Sequence, residues 1–424
     1  MLNVIKSSWA LLLGIMLLMV GNGVQGSLIG LRATAQGFSP LELSMVTSAY
    51  FIGFLGGSIL APEVIRKVGH VRVFAALASF ISAVLILYPV FTYSWAWVII
   101  RIILGFCFSG VYVTAESWLN NSSTNETRGK TLSFYFLIQM IGIVIGQALL
   151  NVGEPQGYLL FIIASVLVSI SFGPILLSVA PSPLFATTRK MGFIELYNRS
   201  PLGCVGMFIL GGVFSAQFGM SSFYGIQIGL NVKEVSLFVA SIFIGSMILQ
   251  YPIGWISDRM DRRVLIVYVA LLGFASAGVG WVFAPNFSAL VVAAFFLGGA
   301  SSPLNSLLLA YTNDYLEIDE MAAGSGGLIF IGGLGAVTGP FLTGWLFTFV
   351  GPSGFWIYIM AVFLCMVAYA LYRTTKRATK YALSEDGFDQ TPYVTVGFNS
   401  TTVAIEAAQE IYVDNIEEIN RRTD

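Results

Sequence analysis

Charged residues are scarce in this sequence: they make up 10% of its 424 positions, where a soluble globular chain carries about a quarter. That shortage excludes an ordinary soluble domain. A single histidine, His70, leaves zinc chemistry and Ser-His-Asp hydrolysis poorly supported, so no enzyme activity is expected. The three cysteines, Cys107, Cys204 and Cys365, stand in long apolar runs without C-x-x-C spacing. Neither a disulfide framework nor a metal site is read from them, and no cofactor is expected. No G-x-x-x-x-G-K-[ST] loop occurs, which excludes ATP hydrolysis as an energy source. With a net charge of −1, nothing marks a surface for nucleic acid.

What is abundant is hydrophobicity, at 56% of residues, with 45 glycines and a mean hydropathy of +0.82. Small residues let helices approach closely in lipid. Apolar runs of about 20 residues, the length that crosses a bilayer, recur at 9–31, 43–65, 73–91, 95–117, 131–151, 158–179, 202–224, 235–256, 264–284, 288–310, 324–349 and 353–372. Stretches such as Leu159 to Leu177 do not alternate, so they do not read as barrel strands. The first run, Trp9 to Leu31, is too long for the apolar region of a signal peptide, and no A-x-A site follows it. It reads as a retained first helix.

The charges test this topology independently. With both termini cytoplasmic, only Arg32 and Lys233 of the 21 lysines and arginines fall on the outer side, and Arg101 lies within a helix. Such a bias is what the positive-inside rule demands. The expected fold is an all-α membrane protein of twelve transmembrane helices in two six-helix halves, 1–180 and 202–372. A polar cytoplasmic connection, 181–201, joins the halves, and a cytoplasmic tail follows at 373–424. The tail begins basic and ends acidic, and its composition favours disorder over the short helix that its spaced isoleucines allow.

A charged turn is repeated between the halves. Aligning Arg259 with Lys67 sets Gly254 on Pro62, Asp258 on Arg66 and Asp261 on Gly69, as in transporters built from parallel repeats. Gly254-x-x-x-Asp258-Arg259, followed by Arg262-Arg263, resembles the signature turn G-x-x-x-D-R-x-G-R-R of the major facilitator superfamily. Arg101-Ile-Ile-Leu-Gly105 resembles its fourth-helix motif, and Glu116 with Arg128-Gly129 is similar to the carboxylate and R-G pair beyond that helix. Gly335-x-x-x-Gly339-Pro340 resembles the family's glycine-proline motif, here on helix eleven rather than five. Helix five has Gly142-x-x-x-Gly146-Gln147, without the proline. The wording from Arg101 to Gln147 is similar to a poorly characterised bacterial branch related to drug-efflux members.

The resemblance implies a secondary transporter of the bacterial inner membrane, acting as a monomer on a small-molecule solute, with a coupling proton or ion left open. In the family fold, helices one, four, seven and ten line the central cavity. It therefore implies solute contacts at Asn22, Gln25, Arg101, Tyr112, Gln217 and Asn305. Arg66, Lys67, Glu116, Arg128, Gly254, Asp258, Arg259, Arg262 and Arg263 form the expected gate at the inner face; the plainer reading of these cations is the positive-inside rule alone. In the first half Arg66 stands where the family has Asp, so either Glu63 substitutes or Asp258 carries the latch alone. No Asp or Glu lies near the middle of a span, with Glu116 closest. Nothing there replaces the hydration of a permeant cation, which points to a neutral, anionic or amphipathic aromatic solute. The rival reading is a membrane scaffold or assembly factor that keeps the fold and binds partners through its tail.

Overall fold

A computed structural model describes residues 2–122, 125–177 and 191–376, together with Tyr393, Thr395, Gly397, Ser400 and Thr401 of the tail. Twelve long helices fill these residues: α1 Leu2–Ala35, α2 Pro40–Val68, α3 His70–Leu87, α4 Ser94–Ser122, α5 Asn125–Leu149, α6 Leu159–Ser171, α7 Pro201–Gly219, α8 Val232–Ser257, α9 Arg262–Val282, α10 Phe287–Asn313, α11 Ile318–Val350 and α12 Gly354–Lys376. After breaks at Phe172 and Met220, α6 and α7 continue as Gly173–Leu177 and Ser221–Gln227. All are apolar enough to cross a membrane; α11 and α12 share one apolar stretch, divided by the 3-10 turn Gly351–Ser353. The spans expected from the sequence fall on these helices to within a few residues. Residues 181–190 of the connection and most of the tail lie outside the described residues; the rest of the connection carries a short helix, Phe193–Arg199.

The helix starts show why the chain folds as a repeat. Ser39 caps α2 by accepting from the Glu42 N–H, while Glu42 reaches back to the Ser39 N–H. Asn231 and Glu234 form the same reciprocal box at the start of α8. Such a box satisfies two of the amide groups that a helix start otherwise leaves open. At the other end of α2, Gly69 takes φ 90, a backbone region that glycine enters without strain, and turns the chain into α3.

Packing repeats in the same register. In the first half α2 packs on α4, α1 on α5, α3 on α4 and α3 on α6; in the second, α8 packs on α10, α7 on α11, α9 on α10 and α9 on α12. Glycines permit the closest of these approaches. A Cβ at Gly53 of α2 would collide with the backbone of Ile102 on α4, and one at Gly245 of α8 with that of Phe295 on α10. In lipid, where apolar side chains gain little by leaving their surroundings, such close backbone packing drives association. Gly142 and Gly146 fit α5 against α1, and Gly335 and Gly339 fit α11 against α7, which explains why that motif serves on both helices.

Across the halves, α1 meets α7, α2 meets α11 and α5 meets α8. The tightest of these contacts lie at the end opposite the charged turns. Gly344 abuts Ser44 and the Pro40 carbonyl, Gly30 abuts Ser222, and Asn151 Nδ2 donates to Ser236 Oγ at 3.3 Å. At the charged end, described tail residues stand between the halves.

Candidate functional site

At mid-depth between the halves lies a small cavity of about 30 Å³. Phe136, Gln139 and Met140 of α5 line one side, with Phe214, Gln217 and Phe218 of α7 and Ser246 of α8. Ser301 and Ser302 of α10 and Gly397 of the tail complete the wall. Phe214 and Phe218, one helical turn apart, stack at 6.0 Å with their rings 8° from parallel. Gln217 Oε1 accepts from Ser301 Oγ at 3.1 Å, and its buried Nε2 meets no acceptor among the described residues. Ser246 Oγ is used up on helix carbonyls, those of Ile242 and Gly298. The wall is aromatic, contains neutral amides and hydroxyls, and carries no ionised side chain among its described residues.

Of the six expected solute contacts, Gln217 stands in this wall. Four others come together elsewhere, in a chain of hydrogen bonds inside the first half. Arg101 Nη1 donates to Gln25 Oε1 at 2.9 Å, Gln25 Nε2 to Asn22 Oδ1 at 2.8 Å, and Asn22 Nδ2 to the Tyr112 hydroxyl at 3.2 Å. Asn22 and Gln25 are three residues apart, so they share one face of α1. The Arg101 guanidinium also lies 5.4 Å from the centre of the Tyr50 ring. All four side chains are buried. A charge inside a span is tolerated when protein groups surround it, and this chain supplies them. Asn305 is buried on α10 and is not among the residues lining the cavity.

Most of the expected gate residues make ion pairs, hydrogen bonds or ring contacts at the charged end. Arg66 and Lys67, both exposed, bond to Glu63 on their own helix rather than to the other half. Arg262 is almost fully buried and donates to both oxygens of Asp314, at 2.6 and 2.8 Å, and to the Ala310 carbonyl. Asp258 is 3.7 Å from Arg262, a looser contact. Arg263 bonds Asp261, and Arg259 stacks on Trp255, 4.1 Å from the ring centre. Gly254 gives room for a ring from the tail. Arg128 belongs to α5, but its side chain lies outside the described residues. Among the described residues, these ion pairs lie within their own half, with the carboxylate on the same turn or an adjoining helix.

Glu116, fully buried near the charged end of α4, accepts from the N–H and the hydroxyl of Thr401, the former at 2.7 Å. Tyr393 takes a bond from Gln250 Nε2 to its hydroxyl at 2.8 Å and donates its N–H to Asp258 Oδ1 at 3.1 Å. Burial holds its phenol above the usual tyrosine range, so the hydroxyl stays protonated.

Sequence reasoning missed Asp314, the cavity serines and the tail contacts. Asp314 had a signal, an acid just past the last turn of α10. The serines had none, since serine is common in membrane helices, where its hydroxyl bonds to the preceding turn.

A family model described as Major Facilitator Superfamily matches residues 11–231 and again 202–407, one match for each half. An uncharacterized MFS-type transporter of Yersinia enterocolitica is 26% identical over 380 residues, covering 88% of this chain and 97% of that protein. Another, of Escherichia fergusonii, is 24% identical over 359 residues, covering 83% of this chain and 92% of its own. Among solved structures, the nucleoside transporter NupG superposes with a TM-score of 0.71 at 12% identity, over 87% of this chain and 98% of that one. The human organic anion transporter MFSD10 gives 0.59 at 13% identity, over 87% and 99%. Two similar six-helix halves, a cavity held between them, the repeated charged turns and the doubled family match converge: this chain belongs to the major facilitator superfamily, whose members are multi-pass membrane carriers and not enzymes.

Proposed function

We propose that the protein moves a small, neutral, amphipathic organic solute bearing a flat ring, by alternating access, through the cavity between α5, α7, α8 and α10. The observation that carries this reading is the cavity wall itself. Stacked phenylalanines offer a face for a ring, while Gln139, Gln217, Ser301 and Ser302 offer neutral hydrogen-bonding groups. A cation would meet no carboxylate there and an anion no guanidinium, and burying either without a partner costs several kcal/mol or more. Of the two solved relatives, one is named for a nucleoside and the other for an organic anion; the uncharged wall favours chemistry of the first kind.

The positive-inside bias supports a bacterial inner-membrane protein with the charged end cytoplasmic. The halves pack at the opposite end, which supports a state whose cytoplasmic side is the one spanned by the tail. Rocking of the halves about the cavity exposes it to the other side, and the charged turns serve as the cytoplasmic gate.

The test is flux into proteoliposomes from a panel of neutral nucleosides, aromatic carboxylates and organic cations. We expect transport of the neutral group, with Gln217→Leu raising the half-saturating concentration about tenfold or more, as loss of a buried amide contact predicts. Transport confined to charged solutes would overturn the reading.

A further inference from the structure

Three residues on one face of α8, spaced four apart, carry the tail. Gln250 donates to the Tyr393 hydroxyl, Asp258 accepts the Tyr393 N–H, and Gly254 lies between them under the Tyr393 ring. A Cβ at Gly254 would stand 2.5 Å from that ring. Gly397 then reaches the cavity wall and packs on Phe136 of α5; a Cβ there would fall 3.0 Å from the Phe136 ring. The Ser400 N–H turns back to the Gly397 carbonyl at 3.0 Å, and Thr401 is bound by Glu116 of α4. Gly397, Ser400 and Thr401 are all buried. The tail therefore holds the second half at Tyr393 and the first half at Thr401, with Gly397 against the cavity in between.

We propose that the α8 face Gln250–Gly254–Asp258 and the Glu116 carboxylate opposite it form a docking site for the protein's own tail, which there blocks the cavity and locks the halves in this state. Two consequences follow from the geometry. A solute cannot enter from the charged end past Gly397 while the tail is docked. Nor can the halves close at that end while tail residues occupy the space beside Glu116 of α4, Phe136 of α5 and Gln250 of α8. The same α8 face contains the Gly254 and Asp258 of the family turn, so docking and gating compete for the same groups. The inference rests on the proposed transport reading only for its effect on flux; the docking itself does not.

The experiment uses the full chain with its three cysteines replaced by alanine and one cysteine placed in the cavity by Ser302→Cys. A hydrophilic maleimide labels the purified protein in detergent, so membrane sidedness does not enter. Labelling is compared with the tail intact and with Tyr393→Ala and Thr401→Ala together. We expect the double variant to label about tenfold faster or more, the factor that losing such hydrogen bonds at their usual net strength produces. A synthetic peptide of residues 388–406 added to the variant slows it again. Equal rates with and without the substitutions, fast or slow, would overturn the proposal. Initial flux is measured without the cysteine probe, in the otherwise unchanged chain, and should rise with Tyr393→Ala and Thr401→Ala; faster labelling without flux of any solute from either protein counts against the transport reading and leaves the docked tail standing.

Discussion

Arg101 on α4 and Gln25 on α1 meet at 2.9 Å, guanidinium to amide oxygen, and that bond begins the buried polar chain that ends at Tyr112. It ties α1 to α4 within the first half.

Arg101→Ala leaves the Gln25 oxygen without its donor, a loss of about 1–3 kcal/mol. We expect the variant to insert and purify as a monodisperse protein yet to lose most of its flux, by about tenfold or more. Arg101→Lys keeps the charge but not the planar fork, and should fall between the two. Normal flux in the alanine variant would show the chain to be packing alone.

The two acids near Arg262 should behave differently. Asp314 is its close partner, so Asp314→Ala takes from a buried guanidinium its nearest carboxylate and costs up to about 3–5 kcal/mol. Thermal unfolding in detergent should move down by many degrees. Replacing both partners, Arg262→Met with Asp314→Leu, should recover most of that loss; a double variant no better than the single one would refute the pair.

Asp258 is 44% exposed and more distant from the guanidinium. A half-exposed pair of this kind contributes about 0–1 kcal/mol, so Asp258→Asn should leave the melting temperature nearly unchanged. Its effect should appear in the balance of states, as greater access of the Ser302→Cys probe from the charged end. Unchanged access would remove Asp258 from the gate.

Glycines in the spans separate into two classes. At Gly298 of α10 a Cβ would run into the backbone of Ile242, whereas at Gly278 of α9 it would meet nothing within 4 Å. Gly298→Ala should destabilise by about 1–3 kcal/mol, as overpacking does. Gly278→Ala should be neutral or stabilising by up to about 1 kcal/mol, the helix-propensity difference. Paired melting curves test both.

How far the sequence could be read depended on dimension. Span lengths and the charge bias are properties along the chain, and the bilayer imposes them residue by residue, so the twelve helices and their repeat were legible. Gln217 was legible as an amide in a span. The cavity wall depends on how each helix is rotated and how deep each residue sits, which is why Ser301 and Ser302 escaped notice while Arg101, the most conspicuous residue, belongs to a network inside one half. Motif spacing identifies the cations of the turns without saying which carboxylate the fold brings beside them; for Arg262 that is Asp314. The bonds of Tyr393 and Thr401 reach residues more than a hundred positions away in sequence, which the composition of the tail does not show.

The repeated register of α2 and α8 gives the molecule two nearly equivalent faces, and a tail could in principle choose either. Ser58, Pro62 and Arg66 occupy on α2 the places of Gln250, Gly254 and Asp258 on α8. Pro62 places ring atoms where Gly254 leaves space, and a guanidinium has no lone pair to accept the Tyr393 N–H. The departure of the first half from the family turn is therefore what gives an almost two-fold scaffold a handedness of address: one keyhole per molecule, cut in the second half and closed in the first.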